Sequence, residues 1–247
     1  MGSPSEGAMF IELMRKIVPR KIQTAVAFVN IFNNKYGHSN KRMRYCLNSS
    51  GEPIPWITYP CMEFLGQINF SDKVVFEYGS GSSTLWWAKR SRSVYAIDRD
   101  ASWIRRIEPD LPENAIVRHC HDETLYADEI LKTENVYDVI VIDGSVRYPC
   151  AERAIEKLSK DGIIILDNSE WYPNTCEFIT SNGFSRIDFI GISPINAFAS
   201  CTSLFIRNLN PLNNRIVCNG WTPIGGKFLI AHDDKPLNQI DPATLLR

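Results

Sequence analysis

The stretch Val74-Val-Phe-Glu-Tyr-Gly-Ser-Gly-Ser-Ser-Thr84 decides the fold. Its first half is a short apolar run that reads as a buried strand over 73–77. Its second half places glycines at 79 and 81, so the backbone there can turn sharply and approach a ligand closely. A helix over 83–90 follows, with Thr84 or a neighbouring serine available as its cap. The N-terminus of such a helix offers unpaired N–H groups. In an open α/β sheet, ligands lie beyond the carboxyl ends of the strands, which is where this loop falls.

The same alternation continues outward. Apolar runs at 93–98, 115–119, 137–143 and 163–167 read as strands, and 101–107, 125–131 and 150–159 read as helices, the last ending at Asp161-Gly162. Near-continuous apolar strands separated by helices mark a parallel sheet covered on both faces. Runs at 184–190 and 202–207 read as two closing strands whose connection leaves no room for a helix, hence an antiparallel pair at the sheet edge. Upstream, Phe10, Ile11, Met14 and Ile17, then Ile22, Val26, Val29 and Phe32, predict two helical pieces broken at Pro19. The proline-bearing segment 51–60 predicts an ordered loop leading into a helix over 61–68. Downstream, Gly225-Gly226 precedes a run at 227–231 that reads as one more strand. The expected architecture is a Rossmann-like, doubly wound, seven-stranded α/β sheet, mostly parallel, with an antiparallel closing hairpin and added N-terminal helices. The expected organisation is a helical extension and entry loop over 1–54, a core over 55–207, and a C-terminal extension or lid over 208–247.

Composition narrows the class. The chain has 247 residues, 44% hydrophobic and 22% charged, with a net charge of −1. Extended disorder is excluded, and strong nonspecific binding to nucleic acid or membrane is not expected. Seven scattered cysteines without a C-x-x-C pair read as reduced thiols in a cytoplasmic protein, with neither zinc site nor disulfide framework. The N-terminal apolar stretch is interrupted by Arg15, Lys16, Pro19, Arg20 and Lys21, so it reads neither as a signal peptide nor as a membrane span.

Three constellations carry chemistry. Thr84 stands at the third-glycine place of a dinucleotide fingerprint, and Glu77 ends the strand with a carboxylate; both favour a nucleoside without pyrophosphate over NAD. Asp98, ending the second strand, either accepts hydrogen bonds from ribose hydroxyls or caps the next helix. Asp143 and the pair Asp167-Asn168 end adjacent strands. They form either a hard-oxygen site for Mg²⁺ or Ca²⁺, a pair of carboxylates with one pKa raised, or two helix caps.

Together, the 77–84 loop, Asp98, Tyr137-Asp-Val-Ile-Val-Ile-Asp-Gly144 and Lys160-Asp-Gly-Ile-Ile-Ile-Leu-Asp-Asn168 resemble the ordered motifs of class I S-adenosylmethionine-dependent methyltransferases, over about residues 55–207. The resemblance implies S-adenosylmethionine as cofactor. Glu77, Gly79, Ser80, Gly81, Ser83 and Thr84 would lie under its methionine, Asp98 at its ribose, and His121 and Asp122 near its adenine, with Asp143 a further contact. Asp143, Asp167 and Asn168 resemble the metal ligands of catechol O-methyltransferase-like enzymes, which implies Mg²⁺ holding two substrate oxygens. The sequence departs from that group at Val146, where those enzymes carry a lysine. Arg147 follows, and a guanidinium stays protonated and cannot be a base. Asp143 and Arg147 are the candidate catalytic residues, Arg147 either binding a substrate anion or forming a salt bridge. Trp56, Tyr59, Trp171 and Tyr172 are candidates for a substrate or adenine wall, or for core and lid packing, and 223–226 for a second lid.

The function these readings favour is methyl transfer to an oxygen, less so a nitrogen, of a small molecule or glycan. The alternatives are an NAD(P)-dependent oxidoreductase, disfavoured by Thr84, Glu77 and a missing Tyr-x-x-x-Lys, and a silent nucleoside-binding domain contacting a partner. The apolar N-terminal helices offer a surface for a homodimer.

Overall fold

The structure, a computed structural model, describes residues 18–42 and 45–207. Pro19 precedes α1 (Arg20–Ile31), which continues into a wider turn over Phe32–Tyr36 and stops at Gly37 with φ +68°. The helical piece expected before Pro19, the lid at 223–226 and the strand at 227–231 lie outside the described residues. Strands β1 (Lys41–Arg42) and β2 (Tyr45–Cys46) pair antiparallel, and the proline-bearing loop then leads to α2 (Tyr59–Gly66). Pro60 sits in the first turn of α2, where a missing N–H leaves no helical bond unmade.

From there the chain alternates: β3 (Val74–Tyr78), α3 (Ser82–Ala88), β4 (Ser93–Asp98), α4 (Ala101–Ile107), β5 (Ala115–His119), α5 (Glu123–Tyr126), β6 (Tyr137–Ile142), α6 (Arg147–Lys157), β7 (Leu158–Leu166), α7 (Pro173–Ser181), β8 (Ser185–Ile192) and β9 (Ala199–Ile206). The sheet order is β5-β4-β3-β6-β7-β9-β8. The first five strands are parallel, and β9 lies antiparallel between β7 and β8. The six residues joining β8 to β9 are too few for a parallel crossover, which takes about a dozen, so the pair must be antiparallel. The strand order reverses beside β3, and the carboxyl end of β3 is therefore the switch point where such sheets bind ligands.

Alternate residues of each strand feed two apolar layers. Val75, Val139, Val141, Ile163 and Leu204 pack with Leu65 and Trp87 on one face. Phe76, Ile140, Ile142, Ile164 and Phe205 pack with Ile130, Ala154 and Ile179 on the other. Burial on both faces is why these strands read as unbroken apolar runs.

Two local expectations are corrected. The helix expected over 150–159 occupies Arg147–Lys157, and β7 begins at Leu158 and passes through Asp161-Gly162 rather than turning there. Leu158 pairs with Tyr137, the register shifts before Val139 pairs with Ile163, and a Cβ on Gly162 would stand 2.7 Å from Leu158 Cγ. The helix expected over 125–131 is instead one α turn, α5, followed by a 3₁₀ stretch over Ala127–Lys132. Among the described residues no helix is long and apolar enough to cross a membrane, and the six described cysteines are all buried and free.

Candidate active site

Two strand-to-helix turns meet backbone to backbone at the switch point. Gly79 has φ +100°, and a Cβ there would stand 3.0 Å from the Asp143 carbonyl oxygen. A Cβ on Gly144 would fall 2.3 Å from Tyr126 Oη and 2.9 Å from the Gly79 nitrogen. The glycine loop is pinned from three sides. Asp98 Oδ2 accepts from the Ser80 N–H at 2.9 Å and from Ser80 Oγ at 2.8 Å. Thr84 Oγ1 accepts from the Gly81 N–H at 3.0 Å, and the Trp103 indole donates to the Ser80 carbonyl at 2.7 Å. Above this loop lies a cleft of about 300 Å³ bordered by Glu77, Gly79, Ser80, Ser83, Asp98, Arg99, Tyr126, Asp143, Gly144 and Ser145.

The cleft suits a cationic nucleoside. Glu77 is 1% exposed, and its Oε2 has no hydrogen-bond partner among the described residues. Burial pushes its carboxyl up to about 7, against the opposing pull of the Thr84 and Ser83 hydroxyls. An orphaned buried acid calls for a donor from a ligand. With Asp98 and Asp143 it makes three acids on one cleft, a poor surface for a pyrophosphate and a good one for a molecule carrying an ammonium and a sulfonium. Arg99, the cation on this rim, is paired with Glu123.

A second cavity of about 410 Å³ adjoins the first and shares Ser80, Ser83 and Asp143 with it. Its walls include Trp56, Trp103, Trp171 and Phe198, with Asp167 and Asn168 between them. These segments are far apart in the chain and are held by specific ties. Thr58 donates through its N–H to Thr202 Oγ1 at 3.0 Å and through Oγ1 to the Phe189 carbonyl at 2.9 Å, fixing the loop that carries Trp56. The Ile195 N–H donates to the His38 carbonyl at 2.9 Å, fixing the loop that carries Phe198.

The proposed metal ligands do share one rim, but Arg147 stands among them. Its Nη2 donates to Asp143 Oδ1 at 3.0 Å and Nε to the Gly144 carbonyl at 3.1 Å. Nη1 donates to the Asp167 carbonyl, and both terminal nitrogens lie 3.5 Å from Asn168 Oδ1. Tyr172 lies under the guanidinium, 4.6 Å from ring centre to Cζ. Asp167 Oδ1 in turn accepts from Thr202 Oγ1 at 2.5 Å. A guanidinium bound to two of the three side chains and to the backbone of the third does not fit a cation site. All its donor directions are engaged, so of the two roles left open for Arg147 the salt bridge is the one formed. Its position depends on Asn168 at φ +46°, a region asparagine tolerates, and on Val146, a β-branched residue at φ +44°, a conformation that costs about 1–3 kcal/mol. Burial raises the carboxyl pKa values of both Asp143 and Asp167; Arg147 opposes the rise at Asp143, while the neighbouring Asp143 charge adds to it at Asp167.

The remaining sequence candidates separate. Trp56 and Trp171 border the aromatic cavity. Tyr59 does not: it is 4% exposed, packs against Phe32 and Tyr36, and its hydroxyl meets His38 Nδ1 at 3.1 Å, because it opens α2 on the core side. Tyr172 supports Arg147 instead of forming a wall. Thr84 is fully buried and holds the loop from beneath. Asp122 caps α5, accepting from the Thr124 N–H at 2.8 Å, and neither it nor the exposed His121 borders either cavity. Trp103, Arg99, Tyr126 and Phe198 were not anticipated. Only Arg99, next to Asp98, carried a signal in its neighbourhood.

No family model matches the chain. A ribosomal protein L11 methyltransferase from Helicobacter hepaticus is 30% identical over 113 residues, covering 44% of this chain and 36% of that protein, so the chain matches about a third of that relative's length. A precorrin-6y C5,15-methyltransferase from Geobacter metallireducens superposes with a TM-score of 0.50 at 12% identity, over 60% of this chain and 87% of that one. A precorrin 8w decarboxylase from Methanobacterium thermoautotrophicum gives 0.48 at 20% identity, over 67% and 97%. With the β5-β4-β3-β6-β7-β9-β8 sheet and the glycine loop at its switch point, the chain has the Rossmann-like fold that the precorrin-6y C5,15-methyltransferase also has.

Proposed function

We propose that this protein transfers a methyl group from S-adenosylmethionine to an acceptor held in the aromatic cavity. The observation that carries the reading is the shared wall: a cleft at the switch point and a second cavity are both lined by Ser80, Ser83 and Asp143. One cavity for the cofactor and one for the acceptor, in contact, is what an in-line displacement requires. Bound S-adenosylmethionine supplies an electrophilic methyl on a sulfonium. The chain's own residues then have two tasks, orienting and excluding water. Asp98 accepts from ribose hydroxyls with the lone pairs not used by Ser80. Glu77 accepts from the ammonium of the methionine part. Gly79 and Gly144 let both turns come close enough to close the cleft.

The acceptor nucleophile is an oxygen or a nitrogen. A small molecule or a single glycan residue fits about 410 Å³, and so does one protein side chain. The curated relative is named for a ribosomal protein, which brings protein acceptors into the set to be tried. No step runs through a divalent metal, because Arg147 already donates to Asp143 Oδ1 and the Asp167 carbonyl and lies against Asn168 Oδ1. The core over 55–207, flanked by two extensions, belongs to the same proposal.

Thermal-shift measurements with S-adenosylhomocysteine, NAD and ADP test the reading. S-adenosylhomocysteine should stabilise the protein, and NAD should not. Stabilisation by NAD alone would assign the cleft to a dinucleotide and end the proposal.

A further inference from the structure

The acceptor cavity has a charge character that narrows its ligand. We infer that it selects an acceptor bearing a positively charged amine, which is methylated on nitrogen; the inference rests on the methyl-transfer reading above. Among the described residues bordering the cavity there are two carboxylates, Asp143 and Asp167, and no lysine, arginine or histidine. Arg147, the nearest guanidinium, has its donors taken up by Asp143, Asn168 and two backbone carbonyls. An anionic acceptor would therefore find no free cation to pair with, Arg147 being already paired with Asp143. Three aromatic side chains at the rim are strongly exposed: Trp56 at 48%, Trp171 at 61% and Phe198 at 55%. Large aromatic surfaces left open in a cavity without a free cation suit an ammonium, which is attracted to ring faces. Burial and the neighbouring Asp143 make Asp167 hold its proton more tightly than a free carboxyl, and an ammonium, unlike a hydroxyl, would favour its ionised form.

The reaction balances simply. The acceptor ammonium loses one proton to solvent, and the freed nitrogen lone pair forms the N–C bond. The C–S bond breaks with its electron pair remaining on sulfur. The products are S-adenosylhomocysteine and the N-methylated ammonium, with one proton released per transfer.

The test is calorimetric titration of the full chain, saturated with S-adenosylhomocysteine, using benzylamine, benzyl alcohol, benzoate and methyl β-glucoside as probes. Benzylamine should bind roughly tenfold or more tighter than benzyl alcohol, as cation–aromatic attraction in a desolvated site allows, and benzoate should not bind. Trp171→Ala should weaken benzylamine roughly 3–30-fold while leaving S-adenosylhomocysteine within about twofold, and Trp171→Phe should recover most of the loss. Equal or tighter binding of the alcohol or the glucoside, any binding of benzoate, or binding of no probe overturns the inference. Failure of S-adenosylhomocysteine itself to bind strikes the underlying methyl-transfer reading and takes this inference with it.

Discussion

The two cavities are built in different ways. The cleft beneath the proposed cofactor comes from three strand-to-helix turns of one repeating unit, and its shape is set by backbone: the left-handed Gly79, the missing Cβ of Gly144, and the Ser80 N–H held by Asp98. The aromatic cavity is assembled from side chains at 56, 103, 167–171 and 193–198, brought together only by the assembled sheet. A backbone-built site tolerates little substitution and reads locally in a sequence. A side-chain-built site can change its ligand while the fold stays the same. Asp143 belongs to both, with Arg147 holding it in place.

Breaking that shared wall should have the largest effect. Arg147→Met leaves Asp143 and Asp167 without a compensating cation. Loss of one partner from a buried pair costs about 3–5 kcal/mol, and the lower end applies because a third of the Asp143 side chain is exposed. Urea unfolding measures this, and an unchanged midpoint would show that Arg147 does not hold the wall. The same Arg147 geometry predicts that Mg²⁺ and EDTA leave wild-type transfer rates unchanged; loss of activity in EDTA would restore the metal reading.

A second large effect is specific to the cleft. The Glu77 carboxyl sits at about 7 in the folded chain against 4.5 when free, so the folded state holds its proton more tightly than the unfolded state does. The stability this gives is complete below pH 4.5 and is lost as pH rises to about 7, by roughly 3 kcal/mol at most. Denaturation across that window should show Glu77→Gln losing less stability than wild type with rising pH. Parallel curves would remove Glu77 from the account.

Gly144→Ala should cost about 2 kcal/mol, typical of overpacking against backbone, and should abolish S-adenosylhomocysteine binding in calorimetry. Near-normal binding by this variant would mean that the two turns are not the cradle described. The smallest effect is expected of Asp98→Asn. It keeps an acceptor for the Ser80 N–H but removes the charge, and should weaken S-adenosylhomocysteine roughly tenfold with little change in stability.

The contrast between the cavities also explains what the sequence revealed. Strands β4 and β5 and helix α4 lie where the apolar runs place them, because capping or turn residues such as Asp100 and Asn114 bound them. The start of β7 was hidden, since Asp161-Gly162 is a turn signal that pairing of Leu158 with Tyr137 overrides. Asp143, Asp167 and Asn168 border one cavity, yet the guanidinium among them depends on a left-handed Val146 that no propensity rule anticipates. Trp56 and Tyr59 looked equivalent on paper. Three residues apart across the start of a helix, one faces a cavity and the other the core. Trp103 carries no sequence signal, because its place under Gly81 exists only once α4 has packed.

The central claim, that cofactor and acceptor meet across Asp143, is tested most directly by a crystal structure of the protein with S-adenosylhomocysteine. The account predicts ribose at Asp98, the amino group at Glu77, and the sulfur at the Ser83–Asp143 wall facing the aromatic cavity. A nucleoside bound elsewhere, or a sulfur turned away from that cavity, would contradict it.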